Sequence, residues 1–319
     1  MRALEQVTAW PVPNAAAAVV AADGTVVATT GDIDRSFRLA SLTKVAVGWV
    51  TMIAAEEGSL ALDDPVGQPG CTLRHLLAHA GGYPTDGAEP ISAPERTRIY
   101  SNRGIELAAG EVARRTDMAF ATYLADGLMA PLGMAATRLE GSPAHGLHST
   151  VRDVATFLGE LQRPQLLSPA GAKDAVTVQY PDLSGIVPGV GRFDPCPWGL
   201  GIEIRGEKSP HWTGTANSSA AFGHFGGAGT MMWVDPVAGC GVVALTDRAF
   251  DDWPDAIATW RAFSDDVVAE YTSGKVGGEP PGEPTPCDSA FVSSAEPAEQ
   301  AKRELDAANG RTDPLRPLP

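Results

Sequence analysis

Cysteine is scarce in this sequence, at four residues in 319. Cys71, Cys196, Cys240 and Cys287 stand far apart with no C-x-x-C pair, so neither a zinc motif nor a dithiol redox motif is indicated. A chain of this length buries a large core without covalent links, and we therefore expect free thiols.

Positive charge and membrane-spanning runs are also lacking. The chain has 24 Lys and Arg against 39 Asp and Glu, a formal net charge of −15, which argues against nucleic acids and anionic membranes as partners. The apolar run at residues 45–55 stops at Glu56 and is too short to cross a bilayer. The first ten residues lack the apolar core of a secretory signal, so we expect a cytoplasmic protein.

Strand patterns lie towards both ends of the chain, and helical periodicity lies between them. Two β-rich runs flank Asp23-Gly24 as a hairpin, and alternating segments return after Trp198. This order predicts an α/β (α+β) fold, in which an antiparallel sheet flanked by helices carries an inserted all-α lobe at roughly residues 60–195. We expect one domain over residues 1–273 and a disordered Pro/Gly/Glu-rich tail over residues 274–319.

Ser41 and Lys44 stand three residues apart at the start of the apolar run, which predicts a helix. Residues at this spacing share one helix face, so the amine reaches the hydroxyl. Burial would lower the pKa of the lysine and let it remove the serine proton. Taken alone, such a pair is more often a helix cap and a surface lysine.

A second motif, Tyr100-Ser101-Asn102, opens another predicted helix. A phenol near a buried ammonium would have a lowered pKa and act as a base, and the Asn102 amide would hold the lysine or a substrate carbonyl. The alternative is that Ser101 or Asn102 is a helix cap and Tyr100 a residue at the edge of the core.

A third motif is the glycine-rich segment at residues 223–230, next to a predicted strand. Such a density of glycine indicates that another group approaches the backbone closely, as expected for a strand that lines a cleft. His224 would then contact a substrate or Tyr100. By itself the segment is better explained as a glycine-rich hairpin that packs one histidine.

The three motifs together, in this order, resemble the serine β-lactamase and penicillin-binding protein superfamily, and most closely its class C, esterase-like branch. The resemblance covers nearly all of the predicted folded chain. Further stretches that resemble this family lie at residues 37–44, 72–82, 146–153 and 234–236.

The resemblance implies a role for each residue of the first two motifs. Ser41 would be the acylated nucleophile, Lys44 would activate it, and Tyr100 would act as general base and acid. Asn102 would orient the substrate, and the backbone N–H groups of Ser41 and Gly227 would form the oxyanion hole.

In the third motif, His224, Phe225 and Gly226 would face the substrate together with Gly227. His224 stands where true β-lactamases carry a lysine, so recognition of a substrate carboxylate by a permanent cation is not implied. Phe225 stands where a small polar residue is commoner, which predicts a narrower and more apolar cleft.

These motifs predict a serine hydrolase, first of all a cytosolic carboxylesterase for small acyl esters, with no cofactor and no metal. Acyl transfer, β-lactam hydrolysis and D-amino peptidase activity are the alternatives, and a catalytically silent binding module is an alternative of another class. His75 and His79 have helical metal-ligand spacing but no third ligand nearby in the sequence. Trp198, Trp212 and Phe225 are candidates for the acyl-pocket wall, with core packing equally expected.

Overall fold

The computed structural model describes residues 1–276. The α-helices are α1 (Thr43–Glu56), α2 (Leu73–Leu77), α3 (Asn102–Thr116), α4 (Phe120–Leu124), α5 (Val151–Gln162), α6 (Pro169–Ala175) and α7 (Ala256–Val276). The strands are β1 (Ala15–Ala21), β2 (Val26–Thr30), β3 (Phe37–Arg38), β4 (Arg138–Leu139), β5 (Leu147–Ser149), β6 (Gly185–Val187), β7 (Gly191–Phe193), β8 (Glu203–Ile204), β9 (Phe222–Gly226), β10 (Thr230–Asp235) and β11 (Cys240–Thr246).

The main sheet has six strands in the order β2-β1-β11-β10-β9-β8. Its neighbours pair in antiparallel fashion, and the pairing of β1 with β11 joins the two ends of the described chain. The predicted antiparallel sheet with strands from both ends is therefore confirmed.

Both faces of this sheet are buried except at the edge strand β2, and alternate residues of the buried strands enter different cores. Val20, Met232 and Val243 join the core that contains α1 and α5, whereas Val19 and Trp233 join a second core. α7 and a 3₁₀ helix at Arg2–Ala9 cover the second face. Two covered faces explain why the strands are almost continuously apolar.

The inserted segment at residues 60–195 is not entirely helical, and this part of the prediction needs correction. It contains β4 and β5, which form a small sheet with β3, and a hairpin of β6 and β7. Strands of two or three residues are too short for the alternation on which strand prediction depends.

The C-terminal boundary also lies elsewhere than expected. α7 continues through residues 274–276, which we had placed in the tail. The rest of the predicted tail, residues 277–319, lies outside the described residues. Within residues 1–276, no helix is long and apolar enough to cross a membrane.

α1 is the central helix of the molecule, and nearly all of its side chains are buried. At Gly48 a Cβ atom would lie only 2.2 Å from the carbonyl oxygen of Leu200, so only glycine allows this close approach. A polar side chain on α1 is therefore shielded from water.

Candidate active site

A tight turn places Ser41 at the start of α1. Ala40 adopts a left-handed φ of 50°, a strained conformation for a residue with a Cβ atom, and Ala40–Leu42 form one 3₁₀ turn. The Thr43 hydroxyl donates a hydrogen bond of 2.6 Å to the Ala40 carbonyl and closes the turn. The half-buried Ser41 side chain is thus held at the mouth of a cavity that is described below.

Lys44 is completely buried and is surrounded by three acceptors. Its Nζ lies 3.1 Å from Ser41 Oγ, 2.7 Å from Asn102 Oδ1 and 2.9 Å from the Ala144 carbonyl oxygen. An ammonium donates to all three. A neutral amine donates to Asn102 and Ala144 and presents its lone pair to the Ser41 hydroxyl, so the same geometry serves both protonation states.

Burial lowers the pKa of Lys44 from 10.5 to about 7. The cause is loss of hydration of the ammonium, which the carboxylates of Glu106 and Asp86 offset only in part. A lysine with a pKa near 7 is partly neutral at physiological pH, as a general base requires.

The pKa of Tyr100 moves in the opposite direction to our prediction. Burial raises the pKa of the phenol above its ordinary value of 10.0, and this outweighs the lowering effect of the nearby Ser41 hydroxyl. The Lys44 Nζ lies over the Tyr100 ring, 4.8 Å from its centroid, and this face-on contact does not reverse the effect of burial on the oxygen. Tyr100 is therefore a neutral hydrogen-bond donor at pH 7.

Three rings hold the Tyr100 ring in place. His79, His224 and Trp198 lie with their centroids 4.8, 5.8 and 6.0 Å from that of Tyr100. The backbone N–H of Ser101 donates to His79 Nδ1 over 3.2 Å, which fixes the proton of this neutral ring on Nε2. Burial keeps the pKa of His79 well below 6.5, so the ring packs against Tyr100 without a charge.

β9 supplies the third predicted motif. His224 is buried, and its Nδ1 donates a hydrogen bond of 2.6 Å to the Phe225 carbonyl. Burial lowers the pKa of His224 to about 4, so the ring is neutral at pH 7. At Gly226 a Cβ atom would lie 2.5 Å from the carbonyl oxygen of Leu39, which explains the glycine where β9 approaches the turn that carries Ser41.

The motifs converge on a cavity of about 400 Å³. It is lined by Ser41, Thr85, Tyr100, Asn102, Val187, Pro188, Gly189, Trp198, Glu203, His224, Phe225, Gly227, Phe250 and Asp251. A volume of this size is in the range of small-molecule sites, and its aromatic walls suit an apolar group.

Most of the predicted site residues therefore lie together. Ser41, Tyr100, Asn102, His224 and Gly227 line the cavity, and so does Phe225. The remaining two are adjacent: Lys44 bonds Ser41 and Asn102, and Gly226 packs against the Ser41 turn.

The other candidate residues from the sequence lie only partly at the cavity. Trp198 lines the cavity, but Trp212 is buried in the core, where its Nε1 donates to Glu203 over 2.7 Å. His75 Nε2 lies 2.7 Å from Glu95, whereas His79 packs against Tyr100, so the two histidines do not form one metal site.

Four further groups contribute to the candidate site, and no pattern in the sequence indicated them. The Ala144 carbonyl, which binds Lys44, has no side-chain signal in the sequence. The carboxylates of Asp86 and Glu106 raise the pKa of Lys44 electrostatically, although both residues are distant from Lys44 in the sequence. Glu203 lines the cavity from a strand of two residues. Only their positions in the folded chain reveal them.

The family model described as Beta-lactamase matches residues 8–266. Penicillin-binding protein 4* of Bacillus subtilis is 27% identical over 136 residues, or 32% of this chain. That match spans only 30% of the length of the Bacillus protein.

Solved structures match over most of the chain. A beta-lactamase from Mycobacterium bovis is 48% identical, with a TM-score of 0.82 over 85% of this chain and 99% of that one. Simvastatin synthase from Aspergillus terreus is 18% identical, with a TM-score of 0.69 over 86% of this chain and 98% of that one. At this lower identity, the likeness to the synthase shows a shared fold and nothing more.

Proposed function

This chain belongs to the beta-lactamase family, and from that membership we propose that it is a serine hydrolase that forms an acyl intermediate on Ser41 and acts on small acyl esters. The observation that carries the proposal is the contact of 3.1 Å between Lys44 Nζ and Ser41 Oγ at the cavity mouth. A lysine whose pKa lies near 7 is matched to the removal of a serine proton at neutral pH.

The proposed reaction begins when the Ser41 oxygen attacks the ester carbonyl and its proton passes to the neutral Lys44 amine. The resulting oxyanion is held by backbone N–H groups of Ser41 and Gly227. When the carbon–oxygen bond of the ester breaks, the Tyr100 hydroxyl gives its proton to the leaving alcohol and regains one from Lys44. Water then attacks the acyl group by the same route and releases the acid.

Two features favour an ester over other acyl donors. The walls that Trp198, Phe225 and Phe250 contribute are aromatic, and an aromatic wall suits a small apolar acyl group. A neutral His224 stands at the position where β-lactamases carry a lysine, so the site has no permanent cation there to bind the carboxylate of a β-lactam.

β-Lactam hydrolysis is a second candidate, favoured by the 48% identity to the Mycobacterium bovis protein that is described as a beta-lactamase. Both reactions pass through the same acyl-Ser41 intermediate. Acyl transfer would differ only in the final acceptor, which is an alcohol or amine in place of water.

A fluorophosphonate probe with intact-mass readout tests the nucleophile. We expect one adduct on the wild-type protein and on the control Ser219→Ala, whose side chain is exposed, and no adduct on Ser41→Ala. Retained labelling of Ser41→Ala would refute the assignment of Ser41. Failure of the wild-type protein to react would favour a silent binding module.

Initial rates with p-nitrophenyl acetate, butyrate and hexanoate, compared with nitrocefin, separate the two hydrolase candidates. We expect kcat/KM for the best ester to exceed that for nitrocefin by at least about tenfold, a difference of about 1.4 kcal/mol in transition-state stabilisation. The reverse order would establish a β-lactamase. An added alcohol that diverts the acyl group into a new ester would reveal acyl transfer.

A further inference from the structure

The charged groups around the cavity are unevenly distributed. Two carboxylates, Glu203 and Asp251, line it, and none of the residues that line it is Lys or Arg. The Glu203 charge is balanced, because Lys208 Nζ lies 2.7 Å from it in a fully buried pair. Asp251 is exposed and lines the cavity, and it forms no ion pair within residues 1–276, so no directly paired cation neutralises its charge.

His224 cannot supply a cation or a donor in place of the missing lysine. Its one N–H, on Nδ1, is committed to the Phe225 carbonyl over 2.6 Å. The neutral ring therefore has a lone pair on Nε2, and this atom is buried with no hydrogen-bond partner among the described residues. A lone pair repels a carboxylate oxygen and accepts only from a donor.

Lys44 is a cation that contacts two lining residues of the cavity, Ser41 and Asn102, and all of its protons are in use. As an ammonium it donates to Ser41, Asn102 and Ala144, which exhausts its three N–H bonds. It therefore has no N–H bond left to pair with a second anion.

The groove next to the cavity has a negative balance as well. It shares Thr85 and Asn102 with the cavity and contains Asp86, Glu106 and Arg103. Arg103 lies 3.9 Å from Glu106 and offsets its charge. Asp86 forms no ion pair within residues 1–276, so its carboxylate adds negative potential to this groove.

We infer that this site accepts uncharged or cationic acyl donors and discriminates against donors that carry a carboxylate. The inference rests on the proposed function, and it names the substrate class of that site. The carboxylate of such a donor would lose its hydration in the cavity without gaining a cationic partner, and it would approach Asp251.

Three p-nitrophenyl esters of matched length test the inference. These are the methyl adipate ester, which is neutral, the adipate monoester, which is anionic, and the 6-aminohexanoate ester, which is cationic. We expect kcat/KM for the anionic ester to be at least about tenfold below that of the neutral ester, and the cationic ester to equal or exceed the neutral one.

Two neighbouring substitutions provide a matched comparison. Asp251→Asn removes a carboxylate charge at the cavity. It should reduce the ratio of kcat/KM for the neutral ester to kcat/KM for the anionic ester about threefold at low salt. Asp252→Asn changes net charge equally, but this exposed residue does not line the cavity, and the ratio should stay unchanged. Added salt should narrow the wild-type ratio, since it screens exposed charges.

The outcomes distinguish failure of the proposed hydrolase function from failure of the proposed charge preference. If no ester is hydrolysed and Ser41 is not labelled, the proposed function fails. If the neutral ester is hydrolysed and the anionic ester is hydrolysed equally fast or faster, the hydrolase stands and the inference about charge is wrong. Equal effects of Asp251→Asn and Asp252→Asn would show that net charge, and not the cavity, sets the preference.

Discussion

The substitution Glu106→Gln should move the pH dependence of Ser41 reactivity towards lower pH. The Glu106 carboxylate is the larger of the two charges that favour the ammonium form of Lys44. Without it, the ammonium is less stable and loses its proton at lower pH. The Gln side chain retains an oxygen that can accept the hydrogen bond of 2.7 Å from the Ser142 hydroxyl.

The size of the effect follows from the state of Lys44. At pH 7 a lysine of ordinary pKa is neutral in roughly one molecule in 3000, and one of pKa about 7 is neutral in about half. Reactivity should therefore rise with pH, reach half of its maximum near pH 7 and level off above about pH 8. Removal of one nearby partly screened charge should lower the midpoint by about 0.3–1 pH unit.

The second-order rate constant for fluorophosphonate labelling, measured by intact mass from pH 5 to 9, gives this midpoint without knowledge of the natural substrate. Glu5→Gln, on the exposed surface of the N-terminal 3₁₀ helix, is the control and should follow the wild-type curve.

A wild-type midpoint above about pH 9 would show that Lys44 has an ordinary pKa and is not the base. A shift to higher pH in Glu106→Gln would contradict the electrostatic reasoning, because removal of an anion cannot stabilise an ammonium.

Three further predictions concern stability. Lys44→Met should abolish labelling and leave the melting temperature at pH 7 equal to or higher than that of the wild type. The pKa of Lys44 is lower in the folded than in the unfolded protein, so the buried ammonium destabilises the fold fully below pH 7, and this destabilisation disappears only as pH rises towards 10.5. A lower melting temperature would contradict this. Arg98→Met should cost about 3 kcal/mol in urea unfolding, since the buried guanidinium binds four backbone carbonyls, whereas exposed Arg163→Met should cost under about 0.5 kcal/mol. Gly226→Ala should lower the melting temperature by several degrees, because overpacking at this position should cost about 1–3 kcal/mol of stability. Gly227→Ala places a Cβ atom with nothing within 4 Å and should melt near the wild-type temperature. Equal melting temperatures of the two variants would show that close packing at Gly226 does not require glycine.

Much of the fold was predictable from local patterns. The Asp23-Gly24 turn, the helix that follows Ser41 and the apolar strands near the C-terminus all depend on neighbours in the sequence, and the structure has elements close to these positions. The strands of two or three residues between residues 60 and 195 were missed, because their pairing partners and not their own composition define them.

The candidate site divides in the same way. The spacing of Ser41 and Lys44 decides that they share one helix face, since helix geometry is local. The lowered pKa of Lys44 was also predictable, because the apolar sequence of α1 indicated burial. The predicted lowering of the Tyr100 pKa was wrong, because the dehydration of the phenol by His79, Trp198 and their neighbours is stronger than any charge that the motif implied.

The sequence by itself determined the order of the motifs, the identity of the reactive groups and the helix that brings two of them together, because these depend on contacts within a few residues. Only the tertiary structure decided the protonation state of Tyr100, the third acceptor of Lys44 at Ala144 and the distribution of charge around the cavity. Each of these depends on which distant segments of the chain pack around the cavity, and the protonation state of Tyr100 depends in addition on how far those segments exclude water. No local pattern in the sequence records either property.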